Sequence, residues 1–220
     1  MSTAGTSFRA LGTTAQVVVT DGRHLSAAAA LLRERLAELD AAASRFRPDS
    51  EISRLHERAG AAVEVGPLLC AAIDFGRAFY QLQVISELSR QGSSLAMRGE
   101  GTTACDTMCT AIADLIAGSS GLNLSGNGKV IMTALTPTAS QTNGAPSGGP
   151  YLISKQETSS GSFSATSKLG SSGTVSIPGA PLIQTGQTMY VTEIFYGFTP
   201  ATPLGTSIGI PTKLYDIAYF

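Results

Sequence analysis

The sequence has no tryptophan, two histidines and three cysteines. Two histidines do not make a histidine-rich metal centre. His24 and His56 also lie at no metal-ligand spacing from another His, Cys or carboxylate. Both read as surface residues, His24 at the mouth of a helix and His56 on a short one. Cys70, Cys105 and Cys109 are too few for a disulfide framework or a four-ligand zinc site. The Cys105/Cys109 spacing leaves a local disulfide and two free thiols both open, since one helical turn holds such residues near the edge of bridging distance. Cys70 lies in an apolar run and reads as a small buried hydrophobe.

Charge is also scarce. Charged residues make up 14% of the chain and the net charge is −1. With no basic run, this argues against nucleic acid or an anionic membrane surface as partner. No apolar run approaches the roughly 20 residues of a membrane span. The longest, 65–73, is flanked by Glu64 and Asp74. The start lacks a charged segment followed by an apolar one, so no signal peptide is expected. There is no G-x-S-x-G elbow and no Ser-His-Asp context. "GNGK" (126–129) lacks the phosphate-loop pattern and reads as a hairpin turn.

What is present divides unevenly. Residues 1–73 carry eight Arg, no Lys and eight acids; residues 74–220 carry three Arg, four Lys and eight acids over twice the length. Gly, Ser and Thr dominate the later part. This shift places a boundary near 73, with 1–73 and 74–220 as separate segments.

Local patterns fill in both segments. "AQVVVT" (15–20) is strand-like before the turn pair Asp21-Gly22. Leu25, Ala29, Leu32, Leu36, Leu39 and Ala43 form one helical stripe, with Ser26 as its expected cap. Arg33, Glu34, Arg35 and Glu38 lie off it, on the side expected to face water. Ser50 or Asp49 caps a short helix through Arg58, and 61–66 suits a strand. Phe75, Phe79, Leu82, Leu88 and Leu95 predict a second long helix over 75–97, then a shorter one over 105–118. Beyond it, "LNLS", "KVIMTAL", "YLISKQE", "GSFSATS", "TVSIP", "MYVTEIFYGFTP" and "KLYDIAYF" are strand-like. Residues 137–150 read as a loop.

Two partial resemblances follow. "FRALGTTAQVVVTD" (8–21), "LLRERLAELDAAASRFRPDSEISRLHERAG" (31–60) and "VEVGPLL" (63–69) resemble the N-terminal part of the ApbE family, the FAD:protein FMN transferases. The most specific part is Ser44-Arg45-Phe46 followed by Asp49 to Leu55; His56 stands where the family commonly has Asn. The resemblance implies Mg2+-dependent transfer of FMN from FAD onto a Thr or Ser of a target protein. It reaches only about the first quarter of a family member, so no catalytic, cofactor-binding or metal residue is carried over. "DFGRAFYQLQVISELSRQGSSLAMRG" (74–99), "YVTEIFYGFTPATPLG" (190–205) and the "LYDIAYF" ending resemble a TadE-like pilus assembly protein without its membrane helix.

Together these yield an α+β expectation: a pilin-like long helix packed on an antiparallel sheet, preceded by a small β-α-α-β segment. The chain then reads as a chimera with a seam at 73/74. Its expected role is structural, a minor pilin or pseudopilin of a tight-adherence, type IV-like pilus in the cell envelope, acting by protein–protein contact and without cofactor. Tyr190 and Tyr196 are its candidate partner contacts. Homo-oligomerisation is expected if the 25–43 stripe stays uncovered. The alternative is a truncated flavin transferase, which would take FAD and Mg2+.

Overall fold

The computed structural model describes residues 3–98, 107–119, 121–138, 149–181, 183, 184, 186–205 and 207–220. It is a mixed α+β structure that divides into two compact units. The first comprises Met1–Gly76 and Pro200–Ile210, the second Arg77–Thr199 and Pro211–Phe220.

In the first unit, β1 (Ala4–Ala10) and β2 (Thr13–Val19) form an antiparallel hairpin. Its strands alternate cleanly. Ala4, Thr6, Phe8 and Ala10, with Ala15, Val17 and Val19, are partly covered, while their neighbours are exposed. The covered face packs on helix α1 (Leu25–Ala43). The expected α1 stripe is observed: Leu25, Leu32, Leu36, Leu39 and Ala43 are half-buried or buried together with Ala29. The hairpin supplies its cover, and Glu34, Arg35 and Glu38 lie on the exposed side of the helix. Arg33 differs from the expectation: it is exposed but flanks the stripe, with its guanidinium 4.4 Å from the ring centroid of Phe8 on the hairpin. Ser26 is not the cap; His24 occupies that position without a side-chain bond, after a single 3-10 turn that Asp21 caps. Strand β1 has no clear signature in the sequence because Gly5 and Ser7 dilute its apolar residues.

Helix α2 (Glu51–Glu57) starts at Ser50, whose Oγ accepts from Ser53 N. Residues 61–66 join no sheet. Gly66 N instead donates to Glu51 Oε2 at 2.8 Å. The first segment is therefore β-β-α-α, not β-α-α-β. Helix α3 spans Pro67–Arg98, so 73/74 falls inside one continuous helix. Asp74 is fully buried. Its carboxylate accepts from Ala201 N at 2.6 Å and from Thr202 Oγ1 at 2.5 Å, which fixes the returning 200–210 segment.

In the second unit, α4 (Thr107–Ser119) and the short α5 (Leu124–Asn127) precede a five-stranded antiparallel sheet. Its strands are β3 (Gly128–Pro137), β4 (Tyr151–Thr158), β5 (Thr174–Val175), β6 (Met189–Gly197) and β7 (Lys213–Tyr219), in the order β5-β4-β3-β6-β7. "LNLS" is thus the start of α5 rather than a strand, and "GNGK" joins α5 to β3 rather than turning a hairpin. The predicted 137–150 loop falls mostly outside the described residues.

The helix face of the sheet meets small and polar residues of α3. Ser93 Oγ donates to Ala218 O at 2.9 Å and lies 3.0 Å from Thr192 Oγ1, and Ser89 Oγ bonds Asp216. Leu88 is buried and Leu82 half-buried, but Phe75, Phe79 and Leu95 are exposed. The predicted stripe therefore coincides with the covered face only at Leu82 and Leu88. Close approach to the sheet selects Ser89, Gly92, Ser93 and Ala96 instead. A further core cluster gathers Leu135, Tyr151, Ile153, Ile177, Ala180, Ile183, Met189 and Val191.

A Cβ at Gly92 would lie 2.7 Å from Ile116 Cδ1 and 2.9 Å from Thr192 Cγ2. Gly92→Ala is therefore expected to destabilise the chain by about 1–3 kcal/mol through overpacking. Chemical denaturation measures this; an unchanged midpoint rejects the close contact.

Candidate functional site

The corner between α1 and α2 concentrates the exposed chemistry of the first unit. It begins at the β1–β2 turn. Leu11 has φ 52° and Gly12 φ 75°, the paired left-handed geometry of a tight hairpin turn. Glycine adopts it freely, but a branched leucine there is strained. Leu11 is also 47% exposed and lines a cleft of about 560 Å3 with Leu39, Asp40, Phe46 and Arg47. A strained backbone position at a cleft wall directs attention to that cleft.

After α1 the chain turns through Ser44-Arg45-Phe46-Arg47 and is locked by local bonds. Ser50 Oγ donates to Ser44 O at 2.6 Å, and Ser53 Oγ donates to Arg47 O at 2.7 Å. Arg47 reaches Asp49 with Nε at 3.1 Å and Nη2 at 2.7 Å, and approaches Asp40 Oδ2 at 3.4 Å. These bonds hold the Asp49 carboxyl below its ordinary range and raise the Arg47 guanidinium further.

The locked turn thrusts Phe46 outward, where it is 84% exposed. The Arg45 guanidinium lies 4.9 Å from the ring centroid, within cation–π reach. Arg45 also borders a second cleft of about 480 Å3, with Pro48, Ile52, Ser53, His56 and Glu57. One arginine and one exposed ring thus stand beside two adjoining clefts. This pairing suits a planar ring system that carries negative charge.

Of the other candidate residues, His56 alone falls at this corner. His56 lines the second cleft, whereas His24 lies at the start of α1, exposed. Cys70 is half-buried and free. Cys105 lies outside the described residues; Cys109 lies in α4, but its side chain lies outside them, so a bridge between the two has no geometry here. Tyr190 and Tyr196 are only 8% and 7% exposed. They sit on β6, which is paired on both sides, and not on a sheet edge. Among the described residues, no group of three or more His, Cys, Asp and Glu side chains is placed to hold a metal ion. No described helix is long and apolar enough to cross a membrane.

Residues 11–84 match the model of the ApbE family. No curated protein and no solved structure matches the chain. The match starts at the strained Leu11, includes the whole α1–α2 corner, and runs past 73/74 to residue 84. That corrects the pilus reading. The beginning of the stretch expected to be pilin-like, 74–84, lies inside the ApbE match, and no comparison points to pilus assembly.

Because Asp49 is held low by Arg47, the link is in place above the ordinary carboxylate value. It is lost only as pH falls through the depressed one. Arg47→Gln is expected to return the Asp49 titration midpoint upward toward the ordinary carboxylate range. Side-chain carboxyl NMR reads the shift directly; an unmoved midpoint removes Arg47 as its cause.

Proposed function

We propose that residues 11–84 are an ApbE-type segment that binds a flavin nucleotide at the α1–α2 corner, in the service of FAD:protein FMN transfer. What carries this reading is the coincidence of the family match with the Arg45–Phe46 corner. Phe46 offers a ring face for a planar heterocycle, and Arg45 a guanidinium for the pyrophosphate. Leu11 and Leu39 supply an apolar wall, and Arg47, tied to Asp40 and Asp49, keeps the turn rigid. FAD, when bound, would supply the FMN group to be transferred.

The fit to Mg2+ is different. The described residues bring no carboxylate set together at this corner: Asp40 and Asp49 are both engaged by Arg47. They are therefore assigned no metal-dependent step. The acceptor in this reading is a hydroxyl of a target protein, and the contribution of this segment is nucleotide binding.

Titration of the purified chain with FAD, followed by flavin fluorescence, tests the reading. Saturable binding is expected, unchanged by EDTA. Phe46→Ala should weaken it by about 3- to 10-fold, the range of an aromatic contact. Arg45→Gln should weaken it about tenfold or more, the range of a charge-assisted bond. Absent binding, or binding indifferent to both substitutions, rejects the site.

A further inference from the structure

Residues 161–170 show strand periodicity without belonging to the sheet. Phe163, Ala165, Ser167 and Leu169 are half-buried, while Ser162, Ser164, Thr166 and Lys168 are exposed. The strap is fastened mainly through side chains. Glu193 of β6, fully buried, accepts from Lys168 N at 2.9 Å through Oε1 and from Ser167 Oγ through Oε2. Tyr215 OH of β7 donates to the same carboxylate at 2.9 Å. Lys168 Nζ lies 3.5 Å from the Tyr215 ring centroid. Toward the ends, Lys129 Nζ reaches Gly161 O at 3.4 Å and Gln156 Nε2 reaches Gly170 O at 2.9 Å.

We propose that residues 161–170 are a lid that opens as a unit from the β6–β7 face while the sheet stays folded, with Glu193 as its latch. A strand leaves a sheet only by breaking a ladder of backbone bonds. This strap has side-chain anchors in place of a ladder, so it belongs to the part of the structure that opens at lower free energy. The strongest of those anchors are the bonds to the buried carboxylate, because hydrogen bonds to a charged acceptor exceed neutral ones. Opening uncovers the Glu193 carboxylate beside the Tyr215 hydroxyl, an acceptor and a donor side by side on the sheet.

Limited trypsin digestion of the intact chain under native conditions tests this, because three lysines act as reporters. Lys168 lies on the lid, whereas Lys129 and Lys155 lie in β3 and β4. Cleavage after Lys168 is expected first. Ser167→Ala, which removes one latch bond, and Glu193→Gln, which removes its charge, should each accelerate it about tenfold or more. Cleavage at Lys129 and Lys155 should not change. Simultaneous cleavage at all three lysines, or equal acceleration at all three, overturns the proposal. If Glu193→Gln does not fold, Ser167→Ala alone decides it.

Discussion

A carboxylate cut off from water must be surrounded by donors, and the described residues include two that are completely buried, Asp74 and Glu193. Backbone N–H groups and hydroxyls receive the charge of each. Asp74 collects Ala201 N, Thr202 N and Thr202 Oγ1. Glu193 collects Lys168 N, Ser167 Oγ and Tyr215 OH. Each buried acid therefore draws in a segment remote in sequence. Asp74 explains why the first unit includes Pro200–Ile210, far downstream of its other residues. Gly205 belongs to the same constraint, since a Cβ there would lie 2.6 Å from Asp74 Oδ2. Glu193 fixes the strap and, through Tyr215, the adjoining strand. Burial and the Glu193 charge together push the Tyr215 hydroxyl well above its usual range, so it remains a donor.

These long-range anchors are not legible in the sequence, because nothing in a lone Asp or Glu says which donors will surround it. Periodicity reads well wherever packing uses large apolar residues. The α1 stripe follows from three- and four-residue spacing, and strands β3, β4, β6 and β7 from runs of strand-forming residues between turns, with β3 and β6 buried on both faces rather than alternating. It fails on α3. Phe75 and Phe79 look like the buried face because they are large and apolar, yet they are exposed, and beyond the buried Ile85 and Leu88 the packing face continues with the small residues Ser89, Gly92, Ser93 and Ala96. A helix pressed close to a sheet needs small residues, and serine satisfies its hydroxyl by bonding across the gap. Over 89–96 size then outranks hydrophobicity in selecting the face.

The strap shows a related limit. "GSFSATS" has the alternation of a strand, and its inward and outward residues do alternate. Alternation reports that one side is covered, not that the backbone joins a ladder. At Ser167 and Lys168 the hydrogen bonds go to a carboxylate side chain instead of a neighbouring strand.

The candidate site is legible as a motif but not as a geometry. Ser44-Arg45-Phe46 and Asp49 to Leu55 stand out as the most specific part of the ApbE resemblance, while the left-handed geometry at Leu11 has no sequence signal. The reason is that the corner is built by short-range hydrogen bonds. Ser50 and Ser53 hold the carbonyls of Ser44 and Arg47, and Arg47 holds Asp40 and Asp49. With these polar groups committed to shaping the turn, Phe46 is left standing in water. An exposed phenylalanine forgoes the roughly 1.5–3 kcal/mol that burial of its ring is worth. A rigid turn that nevertheless presents the ring, beside a guanidinium and two clefts, is the arrangement a planar anionic ligand would complete.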